Sequence, residues 1–240
     1  MIYVVGIGPG SQKTMTYQAM EAIKKSDVIV GYKTYIDLID DLIKEKEVVS
    51  NGMKQEIDRV KKAVEISKTG KTVAVISSGD AGVYGMAGLV LELSEDEEVK
   101  IISGVTASTA AAAVMGAPLM HDFCHISLSD LLTPLDLIYK RINLASEGDF
   151  VICLYNPRSK GRPDYLRNAF EIMKKYKAWS TPVGIVKNAE RDNQQIYICT
   201  IDTIDYELVD MLSIVIVGNS STYIKNNKII TKRGYENKLI

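Results

Sequence analysis

The residue types that can do chemistry gather where short apolar runs end. Gly6-Ile7-Gly8-Pro9-Gly10 is the first such place. A dinucleotide loop would read G-x-G-x-x-G, with backbone N–H groups cradling a pyrophosphate. Here the third glycine comes one residue early and Pro9 has no N–H to donate. No G-K-[ST] follows, which removes a P-loop. The loop suits close approach of a ligand to bare backbone, and a plain strand-to-helix turn is the alternative. A second place runs from Ser77 to Met86 and holds Gly79, Asp80, Ala81, Gly82, Val83, Tyr84 and Gly85. Ligands of open α/β sheets bind at the carboxyl edge of the strands. Asp80 has the chemistry to accept hydrogen bonds from a ribose diol or an ammonium group, or else to cap the following helix. Glycines at 79, 82 and 85 exceed what a cap needs and leave room for a flat ring.

Gly104-Val105-Thr106-Ala107 opens an alanine-rich helix, with Thr106 as its N-cap and Ala107 at its mouth. His121-Asp122-Phe123-Cys124-His125 contains both histidines of the chain. Zinc needs three or four ligands, and no second cluster completes this one, so no metal site is expected. Thr133-Pro134-Leu135-Asp136 reads as a helix start, with Thr133 as N-cap, Pro134 first and the acid third. Ser129 and Asp130 lie outside that cap and are free for proton transfer. From 155 to 167 there are four basic residues, Arg158, Lys160, Arg162 and Arg167, against one acid, Asp164. Lys187-Asn188-Ala189-Glu190-Arg191 adds two more cations after another strand. Such a cluster fits a polyanionic small molecule.

These loops need a scaffold. Apolar runs at Ile2–Ile7, Val28–Val30, Thr72–Ile76, Val99–Ile102, Phe150–Leu154, Pro182–Val186, Gln195–Cys199 and Ser213–Val217 read as strands. Several are apolar at consecutive positions, as in a parallel sheet buried on both faces. Between them lie helical periods: Ile57, Val60 and Val64; Met86, Leu89, Val90 and Leu93; Leu166, Ala169, Phe170 and Met173. A further helix is expected around Thr16–Lys25. The alternation specifies an α/β fold. Met115-Gly116-Ala117-Pro118 breaks the pattern and separates two α/β domains, 1–114 and 115–240. The first sheet is expected to be mostly parallel. The second is expected to be mixed, because Pro182–Val186 and Gln195–Cys199 are joined by too short a link for a crossover. With no low-complexity linker, the cleft between the halves is the default ligand site.

Of the 240 residues, 46% are hydrophobic and 25% charged, ordinary values for a chain with a core. A net charge of -1 gives no general field for nucleic acid. No apolar run approaches the ~20 residues that span a bilayer, and three scattered cysteines exclude a disulfide framework. A cytoplasmic protein with no nucleic-acid or membrane partner is the expectation.

In this order, GIGPG, SSGDAGVYGMA, GVTASTAAAA, LYNPRSKGRP, GIVKNAER and SIVIVGNSST make the chain resemble the S-adenosylmethionine-dependent tetrapyrrole (corrin/porphyrin) methyltransferases over essentially its whole length. MGAPLMHDFCHISLSDLLTP and LYNPRS look like the precorrin-3B / cobalt-precorrin-3 C17-methyltransferase branch of cobalamin biosynthesis. The resemblance implies S-adenosylmethionine as methyl donor, a tetrapyrrole substrate that can carry cobalt, and a homodimer. Carried over by position, Pro9, Gly79, Asp80, Val83, Thr106 and Ala107, then Tyr155 or Asn156 and Ala189, hold the donor. Gly8 and Gly10 border the substrate, and Arg158, Lys160, Arg162, Lys187 and Arg191 receive its carboxylates. Many relatives have Pro where this chain has Ala81.

Methyl transfer from a sulfonium needs orientation and a dry site, not a nucleophile, which matches the lack of a Ser-His-Asp or Cys-His arrangement. In the C17 branch methylation is coupled to ring contraction with lactone formation, which needs proton transfers. Asp130, Ser129, His121 and His125 are the candidates, and either histidine has the chemistry to ligate a substrate cobalt. Rival readings keep the fold and methylate another corrinoid position (C11 or C20), diphthine or ribosomal RNA. A non-catalytic nucleotide-sensing module is the rival of another class.

Overall fold

The computed structural model describes residues 1–52 and 55–235 and divides into two compact units, Met1–Ala107 and Ser108–Ile240. In the first, the order is β1 (Ile2–Gly6), α1 (Tyr17–Lys25), β2 (Val28–Tyr32), the short α2 (Lys33–Ile36) and α3 (Asp40–Ile43), and β3 (Glu47–Asn51). Then come α4 (Glu56–Ser67), β4 (Val73–Ser77), α5 (Ala87–Leu93) and β5 (Val99–Ile102). The five strands form one sheet in the order β3-β2-β4-β1-β5, parallel throughout. Val28, Ile29 and Val30, and likewise Val73, Ala74 and Val75, are fully buried at consecutive positions. Both faces of the central strands are therefore covered, which explains their unbroken apolar runs. Ile23, Ile36, Ile39 and Ile43 cover one face, and Val60, Ala63, Val64 and Val90 the other. The helical period through Ile57 is partly corrected. Val60 and Val64 face the sheet, but Ile57 in the first turn of α4 is 54% exposed.

Thr16 shapes the entry to α1, its hydroxyl accepting from the Ala19 N–H at 3.1 Å. That interaction satisfies one of the orphan donors of the first turn. β3 carried no apolar run in the sequence. It is an edge strand, exposed or half-buried along its length, and needs none.

α6 (Ala107–Met115) leads into the second unit, which continues with β6 (Gly116–Ala117), β7 (Phe123–Ser127), α7 (Leu135–Glu147), β8 (Val151–Tyr155) and α8 (Tyr165–Met173). It ends with β9 (Pro182–Lys187), β10 (Gln195–Thr200), β11 (Ser213–Val217), β12 (Thr222–Lys225) and β13 (Lys228–Thr231). The main sheet runs β10-β9-β11-β8-β7 and is mixed: β7 and β8 are parallel and the other pairs antiparallel. A small sheet, β12-β13-β6, completes the unit. Leu166, Ala169, Phe170 and Met173 all face the core, where Ile138, Ile142, Ile152 and Leu154 join them. The expected start of α7 is corrected by one position. Pro134 is the N-cap, with ψ 137° and no side-chain cap bond, and the helix opens at Leu135. Among the described residues no helix is long and apolar enough to cross a membrane.

Candidate functional site

In the first unit three strand-end loops meet backbone to backbone. The Gly8 N–H donates to the Gly79 carbonyl at 3.0 Å, and the Gly79 N–H returns a bond to the Gly8 carbonyl at 2.8 Å. Both glycines have positive φ, +77° and +67°. Such backbone favours a residue without Cβ. A Cβ on Gly6 would lie 2.7 Å from the Gly104 N and 2.8 Å from the Gly79 O, so the loops after β1, β4 and β5 are interlocked at their roots.

Asp80 ties two of them together. Its Oδ1 accepts from the Gly82 N–H at 2.8 Å, and its Oδ2 accepts from the Gly104 N–H at 2.9 Å. The expected alternative, a cap on α5, is not what it does: that helix starts at Ala87, with Met86 as its cap. Asp80 and Val83 are both half-buried and not sealed in the interior. Thr106 directly precedes α6, and its Cα and the Ala107 N would lie 3.8 and 3.7 Å from a Cβ on Gly79. Gly8, Gly79, Asp80, Thr106 and Ala107 thus form one lip at the carboxyl edge of the sheet. Pro9 is buried and Gly10 half-buried beside it. Gly85, expected with Gly79 and Gly82 to leave room for a ring, instead packs against its own loop: a Cβ there would meet the Ser77 Oγ and the Ala81 O at 2.6 Å each.

The second unit presents its own carboxyl-edge loops. Tyr155, the last residue of β8, is 8% exposed, and its hydroxyl accepts from the Ser108 N–H at 3.1 Å. The Ser108 Oγ and the His125 Nε2 are 2.8 Å apart. The His125 ring packs 5.2 Å from that of Tyr155, and burial holds its pKa below the ordinary value. His125 is therefore bound into the first turn of α6, while His121 is exposed, its Nδ1 3.9 Å from Asp122. The two histidines do not converge. Burial pushes the Cys124 thiol up to about 11, so it stays neutral. Among the described residues no group of three or more His, Cys, Asp or Glu is placed to hold a metal ion.

Asn156 turns the chain with φ +49°, and its Nδ2 donates to the Ser127 Oγ at 3.0 Å. The Ser129 N–H donates to the same oxygen at 3.3 Å. Asp130 is exposed and its Oδ2 accepts from the Tyr165 hydroxyl at 2.7 Å, a bond that holds the phenol above its ordinary range. Sequence reasoning did not single out Ser108, Ser127 or Tyr165. Each is an ordinary residue type made significant only by a partner far along the chain.

The basic residues divide into two kinds. Arg158 donates to the Glu207 Oε1 at 2.6 Å and to the Tyr206 carbonyl at 3.2 Å. Lys187 meets the Asp210 Oδ2 at 2.5 Å, and this bond raises its pKa. Those two charges are compensated. Arg162 instead donates to neutral groups: the Leu128 carbonyl, the Ser159 Oγ at 3.3 Å and the Met211 Sδ at 3.3 Å. Lys160 is exposed. Ala189 is buried between Asn188 and Glu190, both at positive φ, and Arg191 closes that turn with a bond from its N–H to the Asn188 carbonyl.

Comparison with known proteins agrees with this architecture. Residues 1–205 match the family model described as Tetrapyrrole (Corrin/Porphyrin) Methylases. The chain is 54% identical over 239 residues to a probable cobalt-factor III C(17)-methyltransferase of Salmonella typhimurium, covering 98% of this chain and 99% of that protein. It is 40% identical to a precorrin-3B C(17)-methyltransferase of Sinorhizobium sp, covering 93% and 90%. The crystal structure of the methyltransferase CobJ superposes with a TM-score of 0.91 at 34% identity, covering 96% of this chain and 99% of that one. With a parallel and a mixed α/β unit, glycine-rich strand-end loops and matches of this extent, the chain belongs to the tetrapyrrole (corrin/porphyrin) methylases.

Proposed function

We propose that this protein transfers the methyl group of S-adenosylmethionine to C17 of a cobalt-bearing corrinoid precursor of the cobalt-factor III type. What supports the reading most is the 54% identity, spread over nearly the full length of both chains, to a relative named for that reaction. The lower identity to a relative named for precorrin-3B favours the cobalt-bearing acceptor over the metal-free one.

The lip of the first unit suits an adenosyl group. At Gly79 an added Cβ would meet only ordinary contacts, the nearest atom being 3.7 Å away, and Ala107 adds little bulk. Pro9, Gly79, Asp80, Val83, Thr106 and Ala107 are the residues assigned to it there, with Gly8 and Gly10 bordering the substrate. The family resemblance also assigns Tyr155, Asn156 and Ala189 to the donor. When bound, the sulfonium supplies an electrophilic methyl group. The chain's part is to orient the acceptor, hold water away and handle protons. Arg162 and Lys160, with no carboxylate partner among the described residues, are assigned to the substrate carboxylates, whereas Arg158 and Lys187 already have acidic partners. Among the proton-transfer candidates Asp130 fits best, since it is exposed and paired with a phenol, while His125 is held by Ser108. The protein acts as a homodimer in this reading.

Incubation with cobalt-factor III and methyl-labelled S-adenosylmethionine, followed by NMR of the product, tests the proposal. Label at C17 is expected. Label at C11 or C20, or none, overturns it.

A further inference from the structure

The segment between β7 and α7 carries two leucines that no described residue covers: Leu131 is 70% exposed and Leu132 98%. Their presentation is fixed from several sides. The Leu128 N–H donates to the Tyr155 carbonyl at 2.9 Å, the Arg162 guanidinium donates to the Leu128 carbonyl, and Tyr165 donates to Asp130 at 2.7 Å. Neighbouring apolar side chains held out into water cost free energy unless something covers them. Arg162 reaches this segment through the Leu128 carbonyl and among the described residues its hydrogen bonds go to no carboxylate, and Lys160, two residues before it, is exposed.

We propose that Leu131 and Leu132 form the platform against which the face of the corrinoid macrocycle lies, with Lys160 and Arg162 taking carboxylates at its rim. This rests on the C17-methyltransferase reading above. The complementarity is chemical: a tetrapyrrole is a broad apolar ring edged by acidic side chains, and this surface is an apolar pair near Lys160 and Arg162, which meet no carboxylate among the described residues, while the adjacent Asp130 is engaged by the Tyr165 hydroxyl. A second copy of this chain is a worse match, because a like surface would bring Lys160 and Arg162 against their own kind. Leu131 and Leu132 are thereby positioning residues for substrate and have no part in binding the methyl donor.

The test is the double variant L131S/L132S, compared with wild type and with L131M/L132M, using cobalt-factor III as acceptor. Neither leucine is buried, so the variants fold. KM for the corrinoid is expected to rise about tenfold or more in the serine variant. The dissociation constant for S-adenosylmethionine, from calorimetry, stays within about twofold, and the methionine variant keeps a near-normal KM. An unchanged KM overturns the assignment while leaving C17 methylation intact. So does a KM rise that occurs only with a shift in sedimentation to a smaller oligomer, which would make the leucines a contact between copies. A wild-type protein that methylates no corrinoid at C17 defeats the underlying reading instead.

Discussion

The Asp80 Oδ2 accepts a hydrogen bond of 2.9 Å from the backbone N–H of Gly104, and so the loop after β4 holds the loop after β5. Its other oxygen simultaneously closes the turn at Gly82. A carboxylate with both oxygens bound to backbone donors acts as a clamp. Replacement by Asn keeps one acceptor but turns an amide N–H₂ toward a second donor, and Ala removes both. Asp80→Asn and Asp80→Ala are each expected to cost about 1–3 kcal/mol in urea unfolding. Affinity for S-adenosylmethionine, measured by calorimetry, falls at least about tenfold in both.

The glycines of the interlocked loops differ in what a methyl group would meet. Gly79→Ala faces only ordinary contacts but must hold φ +67°, a cost of about 1–2 kcal/mol. Gly104→Ala would drive its Cβ into the Gly6 carbonyl oxygen at 2.6 Å, backbone that no rotamer change can relieve. Its cost is about 3 kcal/mol or more. Denaturant unfolding of the two variants should rank them in that order.

Tyr155→Phe leaves the Ser108 N–H without its acceptor in a buried setting, a loss of about 1–3 kcal/mol. His125, on the same network, gives stability a pH dependence of defined sign. Its folded-state pKa lies below the ordinary 6.5. As pH falls past 6.5 the unfolded chain takes up a proton that the folded one refuses, and stability declines until the folded pKa is passed. Above pH 6.5 this contribution is fully present. His125→Asn should flatten that part of the stability profile between pH 7 and 5, measured by urea unfolding.

The three thiols should be inert in the native protein. Burial pushes Cys124 and Cys199 up to about 11, and Cys153 higher still. Since the thiolate is the nucleophile, iodoacetamide at pH 8 should label the folded protein at least about tenfold more slowly than the urea-unfolded chain. Mass spectrometry of quenched time points reads the difference.

Much of this molecule was legible in its residues, and the omissions have physical causes. Strands buried on both faces announce themselves as unbroken apolar runs, and β1, β2, β4, β8, β9 and β11 were found that way. β3 and β7 are edge strands, where Glu47, Ser50 and His125 are tolerated, so no run marks them. The β12–β13 hairpin turns through Asn226 and Asn227, both at positive φ, a signal that the Asn-Asn pair did carry. At the site, Gly79, Asp80, Thr106 and Ala107 were brought together as their positions at strand ends implied. The partners of the cations were not legible. Glu207 stands 49 residues from Arg158, and only the folded chain shows that this arginine is taken while Lys160 and Arg162 meet no carboxylate among the described residues.

The strand order of the first unit also bears on how the chain is made. β1 lies between β4 and β5, with Ile2, Val4 and Val5 wholly buried. A ribosome delivers this strand before either neighbour, so until Ile102 has emerged a sticky apolar ribbon has at least one open flank. Nascent chains stalled ahead of Val73 leave it open on both flanks, and these are the fragments that should recruit chaperones and precipitate without them.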